Sequence, residues 1–280
     1  MADRNASLTA RGVAGLRAAH QLIDAKPPIL DDPVIVKLLG PEIEARIRAE
    51  AERNDPPLAR GLRSHVVLRS RFAEDALHNA VARGVRQYVL LGAGLDTFAY
   101  RQPEWAHGLA IVEVDQPASQ SEKRRLLESA GVSIPSNVRF ADVDFEKETL
   151  AEGLHRADVD FTQPTLFSWL GVTMYLTREA IDAVLATVAS FAKGSEIVLT
   201  FAQPPDPDDP SGRFFAERAA MLGEPWLSYF ATGEIEGILR AHGFSDVQFL
   251  TREAAIRQYY EGRSDDLLPP RRVSIVSATV

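Results

Sequence analysis

The chain has 280 residues, 45% hydrophobic and 25% charged, with 31 Lys and Arg against 39 Asp and Glu for a net charge of −8. That length suits one large α/β domain with additions, and the acidic balance lacks the basic footprint of a nucleic-acid binder. With no cysteine, no histidine pair at metal-ligand spacing and no apolar run near the length of a membrane span, disulfides and thiolate metal sites are excluded, and a soluble, cytoplasmic protein without a metal centre or membrane partner is expected.

Residues 7–39 read as helical, with Leu8, Val13, Leu16 and Leu22 apolar and breaks at Pro27-Pro28 and Asp32-Pro33; Arg17 lies on this segment. Pro41 suits a first helical turn and opens a further helix that gives way at Asn54-Asp55-Pro56-Pro57. Residues 62–81 form a longer helix whose Leu68, Phe72, Ala76 and Ala80 make an apolar stripe, and Gly84 follows as a C-cap. Arg69 and Arg71 sit in that helix. Tyr88-Val89-Leu90-Leu91 is then a short continuous apolar run stopped by Gly92, as a central parallel strand buried on both faces would be.

A second strand, 109–115, ends on Asp115; a charged helix, 121–130, follows; a third strand, 137–142, ends on Asp142. Residues 164–170 are the fourth strand. Thr177 caps the next helix, whose core face is Ile181, Val184, Leu185 and Val188, so Gly171 to Tyr175 fall in the loop at the sheet's carboxyl edge. A fifth strand, 195–202, leads into residues 203–232, a Pro- and Asp-rich excursion with a helix at 213–222 and the aromatic run Pro225-Trp226-Leu227-Ser228-Tyr229-Phe230. Long insertions of this kind are usually functional, and this one reads as a lid or substrate wall. A helix at 234–242 and strands at 247–251 and 273–280 complete the chain.

Gly92-Ala93-Gly94 lets the backbone turn sharply and approach a ligand closely, at the place where open α/β sheets bind ligands. About twenty residues on, Asp115 is placed to accept hydrogen bonds from ribose hydroxyls. The third glycine of a dinucleotide fingerprint is replaced by Thr97, and Asp96 would repel phosphate. An acidic loop fits a cationic ligand with an adenosine end, such as S-adenosylmethionine.

Leu91-Gly92-Ala93-Gly94-Leu95-Asp96-Thr97, Tyr100-Arg101, Glu113-Val114-Asp115-Gln116-Pro117 and Ser168-Trp169-Leu170-Gly171-Val172-Thr173-Met174-Tyr175-Leu176-Thr177 together resemble the leucine carboxyl methyltransferase-like family, whose bacterial members include O-methyltransferases of polyketide tailoring and secondary metabolism. The resemblance implies a cofactor site of Arg69, Gly92, Ala93, Gly94, Asp96, Asp115, Asp142, Val143, Leu170, Gly171 and Tyr175. Arg69 would clamp the cofactor carboxylate, with Arg71 as rival, and Asp142 with Val143 would meet the adenine. Many relatives carry glutamate where this chain has Leu170. Arg17 and Tyr175 are implied on the acceptor side.

The fold expected is α/β: a Rossmann-like, seven-stranded, mostly parallel sheet with an antiparallel last strand, helices on both faces and an N-terminal helical cap. Strand–helix alternation supports α/β by itself; the strand order comes from the resemblance. The chain is read as one methyltransferase domain, 1–280, with a cap at 1–60 and a lid-like insertion at 203–232. The function expected is S-adenosylmethionine-dependent O-methylation of a small molecule, giving S-adenosylhomocysteine. A carboxylate acceptor needs no general base, whereas a phenol would, and no histidine is recognisably placed for that; this favours a carboxylate and leaves the catalytic residue unknown. A binding protein without turnover and a nicotinamide-dependent oxidoreductase are the alternatives. The match to a recurring family stretch at Tyr259-Tyr260-Glu261-Gly262-Arg263-Ser264-Asp265-Asp266 has no assigned role.

Overall fold

The apolar runs become seven strands: β1 (Gln87–Leu91), β2 (Ala110–Asp115), β3 (Val138–Asp142), β4 (Thr165–Trp169), β5 (Glu196–Thr200), β6 (Ser245–Phe249) and β7 (Ile275–Thr279). The computed structural model describes residues 8–53, 55–207, 211–265 and 267–280. The strands form one sheet in the order β3-β2-β1-β4-β5-β7-β6, parallel throughout except that β7 runs antiparallel to both β5 and β6. This is the Rossmann-like sheet expected from the sequence. β6 begins earlier than its apolar run, at Ser245, because its pairing with β7 is irregular between Ser245 and Gln248 and Asp246 takes a φ of 44°.

Nine helices surround the sheet: α1 (Leu8–Ile23), α2 (Pro33–Arg53), α3 (Pro57–Ala82), α4 (Pro117–Ser129), α5 (Leu150–Arg156), α6 (Arg178–Ala189), α7 (Ser211–Met221), α8 (Thr232–Ala241) and the single turn α9 (Arg252–Ala255), which runs into a π-helical turn, Ile256–Tyr260, all among the described residues. α2 is broken at Gly40, whose φ of 79° and ψ of 169° interrupt the helix just before Pro41. α3 and α4 start five and four residues before the positions read from the sequence, 62 and 121, because Pro57 and Pro117 hold a first helical turn without needing an amide donor.

Alternation along the strands builds two cores. Val89, Leu91, Val112, Val114, Phe167, Trp169, Ile197 and Leu199 face one way, onto α5, α6 and α8. Tyr88, Leu90, Ile111 and Leu166 face the other way with Leu77 and Ala80 of α3, and Val198 does so with Val67 and Leu68. Each such side chain contributes about 1.5–3 kcal/mol on burial, so a strand slipped by one residue would reverse both faces.

β1 has β2 on one side and β4 on the other, and the chain leaves it in both directions. The crevice at the carboxyl ends of β1 and β4 is therefore the topological switch point, where such sheets take ligands. α1 lies over it: Ala14 and Ala18 pack on Leu95, just past the glycine turn. From the other side comes the segment after β5, of which residues 208–210 lie outside the described residues. After α7 it docks on the β4 loop, where the Leu227 amide donates to the Met174 carbonyl at 2.6 Å, and returns to the sheet through Phe230 N to Ala202 O at 2.8 Å.

The stretch Tyr259 to Asp266, of which Asp266 lies outside the described residues, braces the cap from behind. Arg263 donates to the carbonyls of Ala25 (3.0 Å) and Pro27 (2.9 Å), Asp265 accepts the Ala25 amide (2.8 Å), and the Tyr260 hydroxyl meets Ser64 Oγ of α3 at 2.7 Å.

Candidate active site

β1 runs into Gly92 and Gly94, both in the left-handed region with φ of 68° and 46°. A Cβ on Gly92 would stand 2.4 Å from a methyl of Val172, so the turn and the β4 loop touch and no side chain fits between them. The amides of Gly92 and Ala93 donate to Val114 O at 2.8 and 3.0 Å, pinning the turn to β2. At the end of β2 the carboxylate of Asp115 accepts the Gly94 amide at 2.6 Å and its neighbour Gln116's amide at 2.7 Å. Burial pushes this carboxyl up, against the two amides that pull it down. Asp96 Oδ1 caps the following turn through the Phe98 amide at 2.8 Å.

Asp142 pairs in register with Asp115 on the same edge and is exposed. Val143 differs from its neighbour: it is fully buried, its side chain within 2.1 Å of where a Cβ on Gly153 would stand and its amide donating to Asp115 O at 2.9 Å. Leu170 is half-buried and packs against the cluster that holds Val67, Leu68 and Leu30.

Gly171 follows β4 with φ of 75°, its amide held by Thr200 Oγ1 at 2.7 Å, and a Cβ there would lie 2.5 Å from Arg69 Nη1 and 2.9 Å from Arg69 Cζ. The Arg69 guanidinium therefore lies flat against the β4 turn at the crevice. No ion pair or hydrogen bond engages it among the described residues, and its Nε is buried without a partner. Burial presses its ionisation down to about 10, with Tyr175 and Asp96 pulling it back up and Arg17 pushing it down. Arg71 points elsewhere, paired with Asp75 at 2.7 Å on the outer face of α3.

Arg17, buried on α1, donates to Leu95 O at 3.1 Å and Thr97 Oγ1 at 2.7 Å and pairs with Asp32. Thr97, where a dinucleotide fingerprint would have glycine, is buried and donates to Asp32 Oδ1 at 2.6 Å while accepting from Arg17 and Arg101. This residue closes the cap onto the turn, a role its sequence position alone did not suggest.

Tyr175 stands in a short helical turn beyond Gly171. Its hydroxyl lies beside the Trp226 indole and the Thr9 hydroxyl, whose Nε1 and Oγ1 are buried without a partner of good geometry. Burial raises the phenol, and Glu224 adds to that rise while Arg69 opposes it. Glu224 itself accepts the Thr9 amide at 3.2 Å, tying the insertion to the start of α1. Thr9 Oγ1 and Trp226 Nε1 thus face the Tyr175 hydroxyl, and Arg17 Nε and Arg69 Nε are buried without a partner. Such groups are uncommon in native interiors, and each asks for a partner.

One further residue belongs here that sequence reasoning passed over. His65 is four positions before Arg69 on α3, on the same helix face. Burial, with the Arg69 cation adding to it, pushes the imidazole down to about 3. The i, i+4 spacing to Arg69 was the available signal.

An open cleft of about 780 Å³ lies elsewhere, lined by Lys26, Arg71, Asp75, Arg83, Glu196 and Arg263 near the amino end of β5. Its charges are paired with each other, as Arg71 with Asp75 and Arg83 with Glu196, and it gathers no unpartnered buried atoms among the described residues. The crevice at β1 and β4 is the better candidate.

A family model described as leucine carboxyl methyltransferase matches residues 10–189. A Bacillus subtilis (strain 168) protein bearing the name S-adenosyl-L-methionine-dependent methyltransferase YktD is 32% identical, over 95% of each chain. A Mycobacterium marinum (strain ATCC BAA-535 / M) protein of the same designation is 34% identical over 79% of this chain and 73% of that one. Among solved structures, a protein from Thermobifida fusca YX described as a methyltransferase aligns with a TM-score of 0.57 at 18% identity, covering 98% of this chain and 94% of that one, a likeness of fold.

Proposed function

Because the chain belongs to the leucine carboxyl methyltransferase family and is an S-adenosylmethionine-dependent methyltransferase, we propose that it methylates an oxygen atom, a carboxylate or hydroxyl, of a small molecule. The observation that carries the reading is the unpaired Arg69 guanidinium against Gly171 at the switch-point crevice. A desolvated cation without a counter-charge is costly unless a ligand supplies one.

The residues present fit the cofactor. Asp115, fixed by two amides, would take the ribose hydroxyls; Gly92, Ala93 and Gly94 would let the chain approach closely; Asp142 and the main chain of Val143 would face the adenine; Arg69 would take the carboxylate as a planar fork. Leu170 gives apolar contact where relatives place an acid, and Asp96 leaves the loop negative toward a cation. When bound, the cofactor supplies a methyl group on a positively charged sulfur. The chain's own part is to position and to exclude water, and positioning supplies most of the help an in-line displacement needs. Tyr175 lies between the Arg69 side and the insertion, where the acceptor would enter. We read 1–280 as one domain in which 1–60 and 203–232 close over the site, and assign Arg17 to fastening that cap rather than to the acceptor.

Calorimetric titration with S-adenosylhomocysteine tests the site. Asp115→Ala should weaken binding by about 1.5–3 kcal/mol, the worth of a hydrogen bond to a charged group. Unchanged affinity in a folded variant would remove Asp115, and with it this placement of the ribose.

A further inference from the structure

The buried residues of α1 all lie from Ala14 onward: Ala14, Arg17, Ala18, Ala19 and His20. That part of the helix is fastened, with Ala14 and Ala18 against Leu95 and Arg17 bonded to Leu95 O, Thr97 and Asp32. Residues 8–13 bury no side chain, yet they cross the mouth of the crevice and touch elements on both sides of it. The Thr9 amide donates to Glu224 of the insertion at 3.2 Å, and the Thr9 hydroxyl faces that of Tyr175 in the β4 loop. The Ala10 methyl covers the glycine turn, since a Cβ on Gly94 would stand 3.7 Å from it. On the β2 side Arg11 pairs with Glu122 of α4. These residues form a strap laid from the insertion, across the end of β1, to α4.

The strap's joints are light. Arg11 is exposed, and an exposed ion pair holds weakly. Gly12 and Gly15 stand on either side of Ala14, where strap gives way to fastened helix. Glycine is less favourable than alanine inside a helix because its backbone has more freedom to lose. Gly92, Gly94 and Gly171 repay that cost by taking a positive φ. Gly12 and Gly15 take none, and among the described residues nothing stands within 4 Å of a Cβ at either position. Neither packing nor backbone angle calls for glycine here. What the pair does is weaken α1 at the boundary between its two parts.

We propose that residues 8–13 are a gate, which unlatches at Gly12 and Gly15 to admit S-adenosylmethionine and release S-adenosylhomocysteine, and latches over the cofactor in between. The inference rests on the reading of the crevice as the cofactor site. Lifting the strap exposes no buried side chain. It breaks the joints at Thr9 and Arg11 and the helical bonds from amides 12–15 to carbonyls 8–11, and the two glycines lower the cost of breaking those bonds. A strap that latches alike with and without ligand governs the rates of entry and exit and leaves the affinity where it was.

The test is the exchange of S-adenosylhomocysteine with the full chain, followed by stopped-flow tryptophan fluorescence, with Trp226 standing at the latch. Gly12→Ala combined with Gly15→Ala adds two methyl groups to open space and disturbs no neighbour among the described residues. Association and dissociation should both slow by about 5–30-fold, with Kd unchanged, as the helix cost of two glycines is added to the opening. Arg11→Gln, which frees the other joint, should speed both by up to about fivefold, and added salt should speed wild type more than this variant. In wild type, amides 12–15 should exchange hydrogen faster than amides 18–23, and the double variant should slow them. Unchanged rates in a double variant with a raised melting temperature would make the glycines a matter of stability alone and overturn the gate. Slower association with unchanged dissociation would make the strap a plug competing for the cofactor's place, which overturns it as well. Failure of wild type to bind S-adenosylhomocysteine would sink the reading of the crevice instead, whereas amides 12–15 protected as well as 18–23 would sink the gate by itself.

Discussion

Arg69 sets the most direct expectation, because it is a residue the free protein has reason to dislike. Its cation is desolvated and unpaired, and its Nε has no partner. Replacing a buried charge that lacks compensation with an apolar side chain of similar length removes a cost. Arg69→Met should therefore leave the free protein as stable as wild type or more so. The same variant should lose affinity for S-adenosylhomocysteine by about 1–3 kcal/mol, tenfold or more in Kd, because the ligand carboxylate loses its fork. Thermal melts with and without S-adenosylhomocysteine read both effects together. A destabilised free protein that still gains its full ligand-induced shift would make Arg69 a structural residue. Arg71, although only two positions away, should be silent in this comparison, since it is paired with Asp75 on the other face of the helix.

The cap is held to the glycine turn by a few buried polar groups rather than by area. Thr97 Oγ1 joins Asp32 on the α1–α2 connection to Arg17 on α1 and Arg101 beyond the turn. Thr97→Val keeps the shape and removes all three bonds, which should cost about 1–3 kcal/mol for the groups left unsatisfied. Hydrogen exchange should show the loss concentrated in α1, with β1 and β4 unaffected; protection falling evenly across the sheet would mean that Thr97 acts on the whole core. The strands, their parallel run and the glycine turn were legible in the sequence because each depends on local pattern: Tyr88 to Leu91 alternates between two cores yet reads as one apolar run, and Gly92 and Gly94 carry their left-handed conformations in their identity. What escaped was whatever long-range pairing decides. Thr97 reads as a missing glycine until Asp32 is found against it. Val143 reads as an edge residue until its side chain is found beside Gly153 in the core. His65 reads as an ordinary helix residue until Arg69 is placed at Gly171.

Across the molecule, the last part of the chain holds the first part in place over the site. Asp265 accepts two bonds from Arg263, at 2.9 and 2.7 Å, and the Ala25 amide at 2.8 Å, while Arg263 reaches the carbonyls of Ala25 and Pro27. The clamp grips the connection between α1 and α2, and so governs where α1 lies. The Arg263 fork, with the Ala25 amide also favouring the charged form and burial opposing, draws the Asp265 carboxyl down to about 2. An unfolded aspartate titrates near 3.9. Because the folded value is the lower one, the unfolded chain binds the extra proton on acidification. The stabilisation from this carboxylate is complete above about pH 4 and is lost as pH falls through about 2. Asp24 and Asp32 are also held below their ordinary value against the opposing effect of burial, by His20 and Arg63 and by Arg17 and Arg101 respectively. Wild type alone would thus not isolate Asp265, and the comparison with Asp265→Asn does. The variant should melt lower than wild type at pH 7, and the gap should hold to pH 4 and then narrow steadily through pH 2, below which both chains carry an uncharged group at this position. A gap that stays constant to pH 2 would show that shape rather than charge makes the clamp. A gap absent at pH 7 would detach the C-terminal stretch from the stability of the cap.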